Sequence, residues 1–131
     1  MTYFYYWYDQ TSLDNPALTL HPPAGQPFDW RDPSWHRQQL ADMADVGVDV
    51  ALAVYWGQTG AWSTGGLEPM VKAREELLQA NLRPPAIGLM LDTNLYATLI
   101  PDRPELADLT SEDGMAAFAD LIGDYFAQVP V

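Results

Sequence analysis

Aromatic and polar side chains end or follow each of three apolar runs in this chain, and they are the residues best suited to bind a ligand. The runs cover residues 3–8, 49–57 and 86–94. Aromatic rings stack on the C–H faces of pyranose sugars, while carboxylates and amides exchange hydrogen bonds with sugar hydroxyls. This combination therefore predicts a carbohydrate ligand. The predicted binding residues at the run ends are Tyr8, Asp9, Tyr55, Trp56, Asp92, Asn94 and Tyr96.

Two further candidates lie in the loops between these runs and the helices that follow. His21 belongs to a proline-rich stretch, residues 9–30, which would lie above the mouth of a site formed by strand ends. Trp62 belongs to a glycine-rich stretch, residues 56–66, which has neither the lysine and spacing of a phosphate-binding loop nor a dinucleotide fingerprint. We therefore add His21 and Trp62 to the predicted substrate-binding residues, as a loop imidazole and a stacking ring.

Several of these residues also have an ordinary structural explanation. Asp9 and Asp92 are suited to capping the turns that follow their strands, and Trp56 is suited to packing beneath a loop. Asp92 is the stronger candidate of the two carboxylates, because a charge at the end of an apolar strand needs a partner. Asp49 stands at the opposite, amino-terminal end of its run and is therefore left out of the site.

No metal or other cofactor is predicted. His21 and His36 are far apart in the sequence and lack carboxylates at ligand spacing, and His36 is expected to be an exposed residue of a helix. The chain contains no cysteine, which excludes a disulfide framework, a thiolate zinc site and a thiol nucleophile.

The composition is that of a folded, acidic protein. Hydrophobic residues make up 48% of the 131 residues, and 18 acidic against 6 basic residues give a net charge of −12. Because such a charge repels nucleic-acid phosphates and anionic lipid, neither partner is expected. No apolar run approaches the roughly 20 residues that span a bilayer, so no membrane insertion is expected. The first run also lacks the basic flank and cleavage site of a signal peptide.

The three apolar runs have the pattern of strands in a parallel sheet that is buried on both faces. None alternates between polar and apolar side chains, and each precedes a loop and a helical pattern. Capping residues mark the helices, and apolar residues at helical spacing mark their buried sides. The predicted helices run from the Asp32 cap and Pro33 to Gly47, from Leu67 to Asn81, and from the Ser111 cap to Gln128. The predicted buried residues of the first helix are Trp35, Leu40, Met43 and Val46, and those of the second are Leu67, Met70, Val71, Leu77 and Leu78. Those of the third are Met115, Phe118, Ile122, Tyr125 and Phe126.

The order strand–helix, three times over, predicts an α/β protein with a parallel sheet. A complete (β/α)₈ barrel takes about 250 residues, roughly twice this length. Three strands alone would leave two long apolar edges bare, which soluble proteins avoid. We therefore interpret residues 1–131 as a fragment, the first three βα units of a TIM-type (β/α)₈ barrel, forming the N-terminal part of a single domain.

Three stretches together resemble the N-terminal half of glycoside hydrolase family 71/99-like barrels, the group that includes endo-α-mannosidases. They are "YYWYD", "DWRDPSWHRQQLADMADVGVDVALAVYWG" and "GLMLDTNLY". The first is similar to the family's aromatic opening strand. The second combines an aspartate–proline cap, a G-V-D turn and a strand that ends on Trp56-Gly57. The third ends on an acidic residue with a tyrosine nearby, with Asp92 where glutamate is common in the endo-mannosidases.

This resemblance implies a glycoside hydrolase that acts on a polysaccharide or glycan, and a secreted or cell-surface location. Such enzymes need two carboxylates facing the scissile bond. The family places them on later strands, so they are expected downstream of Val131, and this chain alone is expected to be inactive. Two other functions stay open: a non-catalytic carbohydrate-binding or structural barrel domain, and a small doubly wound α/β domain that self-associates through its open sheet edges.

Overall fold

The computed structural model of the chain describes residues 1–6, 29–55, 65–92 and 104–130. Strands and helices alternate along these ranges, which confirms the predicted α/β class. The elements are β1 Thr2–Phe4, α1 Pro33–Asp45, β2 Val50–Tyr55, α2 Leu67–Gln79, β3 Ala86–Leu91, a 3₁₀-helix Pro104–Ala107 and α3 Glu112–Gln128.

The three strands form one parallel sheet in the order β1-β2-β3, as predicted. Phe4 of β1 lies opposite Ala53 of β2, which in turn lies opposite Leu89 of β3. Hydrogen bonding between β2 and β3 extends past the start of β2, because the Ala86 N–H donates to the Asp49 carbonyl oxygen at 2.9 Å. Each strand therefore pairs with its neighbour in the sequence, and helices make the connections from β1 to β2 and from β2 to β3.

Local capping chemistry sets the ends of the helices. The Asp32 carboxylate accepts a hydrogen bond from the Ser34 N–H at 2.8 Å, and Pro33 takes the first helical position, where no N–H is needed. Gly47, just past α1, has a φ of +78°, a backbone conformation that suits glycine. The Ser111 hydroxyl accepts from the Gly114 N–H at 3.0 Å and caps α3. These predicted helix boundaries are confirmed.

One face of the sheet carries the core. Paired residues of parallel strands point to the same face, so the row Phe4–Ala53–Leu89 defines what we call the covered face. Strand residues of this face share one buried cluster with residues of all three helices, and residues of the opposite face do not belong to it. The described helices therefore pack on one face only. The cluster comprises Phe4, Tyr6, Leu40, Ala51, Ala53, Tyr55, Leu67, Met70, Ala73, Leu77, Ile87, Tyr125 and Val129.

The opposite face, which we call the second face, is only partly covered. Tyr3 is 61% exposed and Tyr5 is 42% exposed, while Leu52 is half-buried and Val54 is fully buried. The prediction that the first strand is buried on both faces is therefore wrong for Tyr3 and Tyr5. Its physical reason is that the described helices all lie against the covered face.

Some residues predicted to be buried in the helices are exposed, because α2 and α3 are rotated slightly from the predicted orientation and α1 ends before its last predicted residue. In α2 the buried residues are Leu67, Met70, Ala73 and Leu77, and Leu78 lies about 100° further round the helix. In α3 the same rotation exposes residues next to buried ones, and in α1 the last predicted residue lies beyond the helix end. The exposed residues are Val46, Leu78, Met115 and Phe126.

Gly114 provides a test of how closely the first turn of α3 packs. A Cβ at this buried position would collide with the backbone carbonyl of Asp108, so we expect Gly114→Ala to lower the free energy of unfolding by about 1–3 kcal/mol. Gly123 of the same helix has no atom within 4 Å of the corresponding point. Gly123→Ala is therefore the matched control and is expected to raise stability by about 0.5–1 kcal/mol. Urea unfolding measures both; equal effects would contradict the described packing.

Candidate functional site

The carboxyl ends of β2 and β3 lie side by side, and we use "edge" here for this end of the sheet, where the strands finish. Tyr55 and Leu91, the last residues of these strands, lie opposite each other. The Asp92 N–H continues the ladder by donating to the Tyr55 carbonyl oxygen at 3.3 Å. The structure thus brings together Tyr55 and Asp92, two residues that were predicted to bind substrate.

Their side chains have different surroundings. Tyr55 is fully buried on the covered face, where its ring meets the ring of Tyr125 edge-on with 5.0 Å between centroids. It therefore supports the strand end from the helix side and does not present its ring to a ligand. Asp92 is half-buried, and the alternation of side chains along β3 assigns it, like Met90, to the second face.

The other predicted substrate-binding residues lie outside the described ranges, so their positions add nothing to this geometry. They are Tyr8, Asp9, His21, Trp56, Trp62, Asn94 and Tyr96.

Two tyrosine hydroxyls lie beneath these strand ends, and within the part of the chain that the structure describes only one of them has a hydrogen-bond partner. The Tyr125 hydroxyl donates to the Gly88 carbonyl oxygen at 2.9 Å and so ties α3 to β3. The Tyr55 hydroxyl is buried and has no partner at hydrogen-bonding geometry among the described residues. The Gln128 side chain is near enough to affect its ionisation, but the Gln128 Nε2 donates to the Asp124 carbonyl oxygen instead.

Burial controls the ionisation of both phenols. It raises the pKa of Tyr55, which the Gln128 side chain opposes and the charge of Asp124 reinforces. It also raises the pKa of Tyr125 strongly, with a smaller contribution from Tyr55. Both rings are therefore neutral at physiological pH and serve as packing groups of the α3–sheet contact.

His36 was predicted to be exposed, and this prediction is wrong because the ring is fully buried. Its Nε2 lies 2.6 Å from the Trp30 carbonyl oxygen. A carbonyl can only accept, so Nε2 carries the hydrogen and Nδ1 is left without a partner among the described residues. Sequence spacing could have found this position, because His36, Leu40 and Met43 stand at i, i+4 and i+7 on one side of α1.

The described residues contain no group of three or more metal-ligating side chains.

Two clefts of about 240 and 230 Å³ lie between α1 and α2, and residues shared by both are Ala41, Leu77 and Leu82. Neither cleft is lined by Tyr55 or Asp92. Among the described helices, none is both long enough and apolar enough to span a bilayer.

Comparisons with known proteins give no relative for this chain: no protein-family model, no curated protein and no solved structure matches it.

The two tyrosines allow a paired test of the α3–sheet contact. Tyr125→Phe removes the hydrogen bond to Gly88 and should lower the free energy of unfolding by about 1 kcal/mol. Tyr55→Phe removes a buried hydroxyl that has no partner and should leave stability unchanged or slightly higher, because a desolvated polar group is lost. Urea unfolding of both variants measures the difference. A larger loss for Tyr55→Phe than for Tyr125→Phe would contradict this assignment.

Proposed function

We propose that this chain is part of a glycoside-hydrolase-like (β/α)₈ barrel and contributes one side of a cleft that binds a polysaccharide or glycan. The observation that carries the proposal is the meeting of β2 and β3 at Asp92. A carboxylate follows directly on an apolar strand, at the sheet edge where parallel α/β proteins bind their ligands.

The layering of the sheet supports the barrel part of this proposal. In a (β/α)₈ barrel the strands follow one another in sequence order, and all helices lie on the outer face. The described strands have the order β1-β2-β3, and the described helices pack on the covered face. A doubly wound domain, in contrast, carries helices on both faces. The second face would then be the barrel interior, which is the side to which alternation assigns Asp92.

The chemistry at this edge supports a neutral, polar ligand better than a charged one. The chain has a net charge of −12, which disfavours polyanions. A half-buried carboxylate such as Asp92 can accept hydrogen bonds from sugar hydroxyls, and a charged acceptor makes these bonds stronger. We assign Asp92 to substrate binding and assign no residue of this chain to the catalytic carboxylate pair.

Self-association is a second candidate, and the exposed rings on the second face favour it. Tyr3 and Tyr5 leave much of their ring surface accessible, and among the described strands β1 and β3 each have one unpaired side. A second copy could cover these surfaces.

A glycan-binding experiment tests the proposal. Tryptophan fluorescence of the chain is titrated with a panel of neutral oligosaccharides, and the best ligand is then measured by calorimetry. We expect Asp92→Asn to weaken binding about tenfold, because loss of a charged acceptor costs about 1.5 kcal/mol. Asp49→Asn is the matched control: Asp49 is exposed at the opposite edge of the sheet, and its contact with Ala86 uses only the backbone.

Three results would count against the proposal. Binding to no glycan of the panel would remove the carbohydrate cleft, and equal weakening by Asp49→Asn would place the ligand elsewhere. Hydrolysis of a glycan by the pure chain would overturn the assignment that no residue of this chain belongs to the catalytic carboxylate pair. A chain that binds no glycan but dimerises in sedimentation velocity would favour self-association.

A further inference from the structure

The buried ring of His36 contacts three parts of the molecule: residues 4–6, residues 29–32 and the first turn of α1. We call the place where these three parts meet the corner. The ring lies on the first turn of α1, bonds to the Trp30 carbonyl oxygen in the segment before that helix, and packs against rings at the end of β1. Ring centroids of Phe4 and Tyr6 each lie 6.1 Å from it, and that of Trp35 lies 4.8 Å away. Contacts of this single side chain therefore connect β1, residues 29–32 and α1.

The corner is built for a neutral imidazole. Nε2–H has its acceptor in the Trp30 carbonyl, whereas Nδ1 has no hydrogen-bond partner among the described residues. Protonation would place a second N–H donor, with a full charge, at this unpartnered position. An unsatisfied buried donor and a buried charge are both costly, so the protonated ring does not fit the closed corner.

Within the described ranges, the charged groups around the ring do not offset this cost. Asp32, the N-cap of α1, favours the imidazolium through its charge, but its carboxylate already accepts from the Ser34 N–H. Asp29, in the segment before α1, is bound to the Arg31 guanidinium at 2.6 and 2.7 Å. Phe4 carries no ionisable group, and the Tyr6 phenol is neutral in acid. Burial therefore dominates and lowers the pKa of His36 to about 4, against the opposing effects of the Trp30 bond and Asp32.

We propose that His36 is an acid-sensitive latch that holds residues 29–32 and the start of α1 against the end of β1, and that protonation of its ring releases this corner while the rest of the sheet stays folded. The remaining core supports such a local release. Within the described ranges β2, β3, α2 and α3 contain no histidine, and the Tyr125–Gly88 bond ties α3 to β3 independently of the corner.

The direction of the pH effect follows from linkage. The folded-state pKa of His36, about 4, lies below its ordinary value of 6.5, so an open corner binds the proton more tightly than a closed one. The latch is therefore fully closed above pH 6.5, weakens as the pH falls, and has lost its whole contribution once the pH has passed about 4.

Nuclear magnetic resonance of the full chain tests the latch. The His36 imidazole and the backbone amides are followed from pH 7 to about pH 3.5, which covers the range in which a histidine latch acts. We expect the imidazole to titrate together with loss of the native amide signals of residues 4–6 and 29–36, with a common midpoint between about pH 4 and pH 5. Amides of β3 and α3 should keep the well-dispersed signals of a folded sheet and helix over the same range. Light scattering at low protein concentration checks for aggregation, since this range includes the isoelectric point.

Variants separate the latch from general titration of carboxylates. His36→Phe keeps an aromatic ring in the corner, but this ring cannot be protonated. The corner should therefore stay closed through the same pH range. His21→Gln is the matched control and should release like the wild type.

Release of the corner in His36→Phe at the wild-type pH would overturn the proposal. So would a single unfolding step of the whole wild-type chain, a corner that stays closed while His36 titrates, or titration of His36 at its ordinary pKa. If His36→Phe does not fold, the coincidence or separation of the imidazole and amide transitions in the wild type decides the question alone.

Discussion

Parallel pairing of the three strands is the constraint on which the rest of this structure depends. Each strand must be followed by a connection that returns to the opposite edge of the sheet, and the two return connections among the described elements include the helices α1 and α2. The register then sorts the strand residues. With Phe4 opposite Ala53, and Ala53 opposite Leu89, one set of side chains meets the helices and the alternate set faces the other way. The same pairing places the carboxyl ends of β2 and β3 side by side, which is why Tyr55 and Asp92 meet.

Buried polar groups show how closely the helices are fitted to the covered face. Tyr125 satisfies its hydroxyl on a strand carbonyl, so that α3 is held by a directional contact as well as by apolar packing. Among the described residues, His36 has a partner for one ring nitrogen only, and the Tyr55 hydroxyl has none at hydrogen-bonding geometry. Such unpaired atoms are uncommon in folded proteins, and each lowers the stability gained from burying its ring. A directional hydrogen bond therefore ties α3 to β3, whereas the buried imidazole of His36 makes the contact between α1 and β1 sensitive to acid.

Local chemistry made much of the fold predictable from the sequence. Asp32, Gly47 and Ser111 mark helix ends through contacts or backbone angles that involve only a few neighbouring residues, and all three predictions are confirmed. The exposure of Leu78 was not predicted, because it depends on how α2 is rotated against the sheet. The burial of His36 was not predicted either, although its spacing to Leu40 and Met43 indicates it. Tyr3 was predicted to be buried because its run is aromatic throughout, but a strand is buried on both faces only where something covers both.

The candidate site was predictable to a similar, limited degree. The rule that ligands bind at the carboxyl ends of parallel strands placed Asp92 and Tyr55 together, and the described residues agree. The direction of the Tyr55 ring could not be predicted, because a shift of one residue in register moves every side chain to the opposite face. The sugar-binding proposal is carried by the position of Asp92 at the end of β3, which the pairing of β2 with β3 determines.

The most direct test of this account is therefore the register of the sheet, measured by cross-strand nuclear Overhauser effects in the full chain. We expect contacts that pair Phe4 with Ala53, Ala53 with Leu89 and Tyr55 with Leu91. Ring protons of Tyr55 should show contacts to Tyr125 and not to Tyr3 or Tyr5. A register shifted by one residue, or contacts that place β3 beside β1, would contradict the account, because the covered face and the position of Asp92 both follow from this pairing.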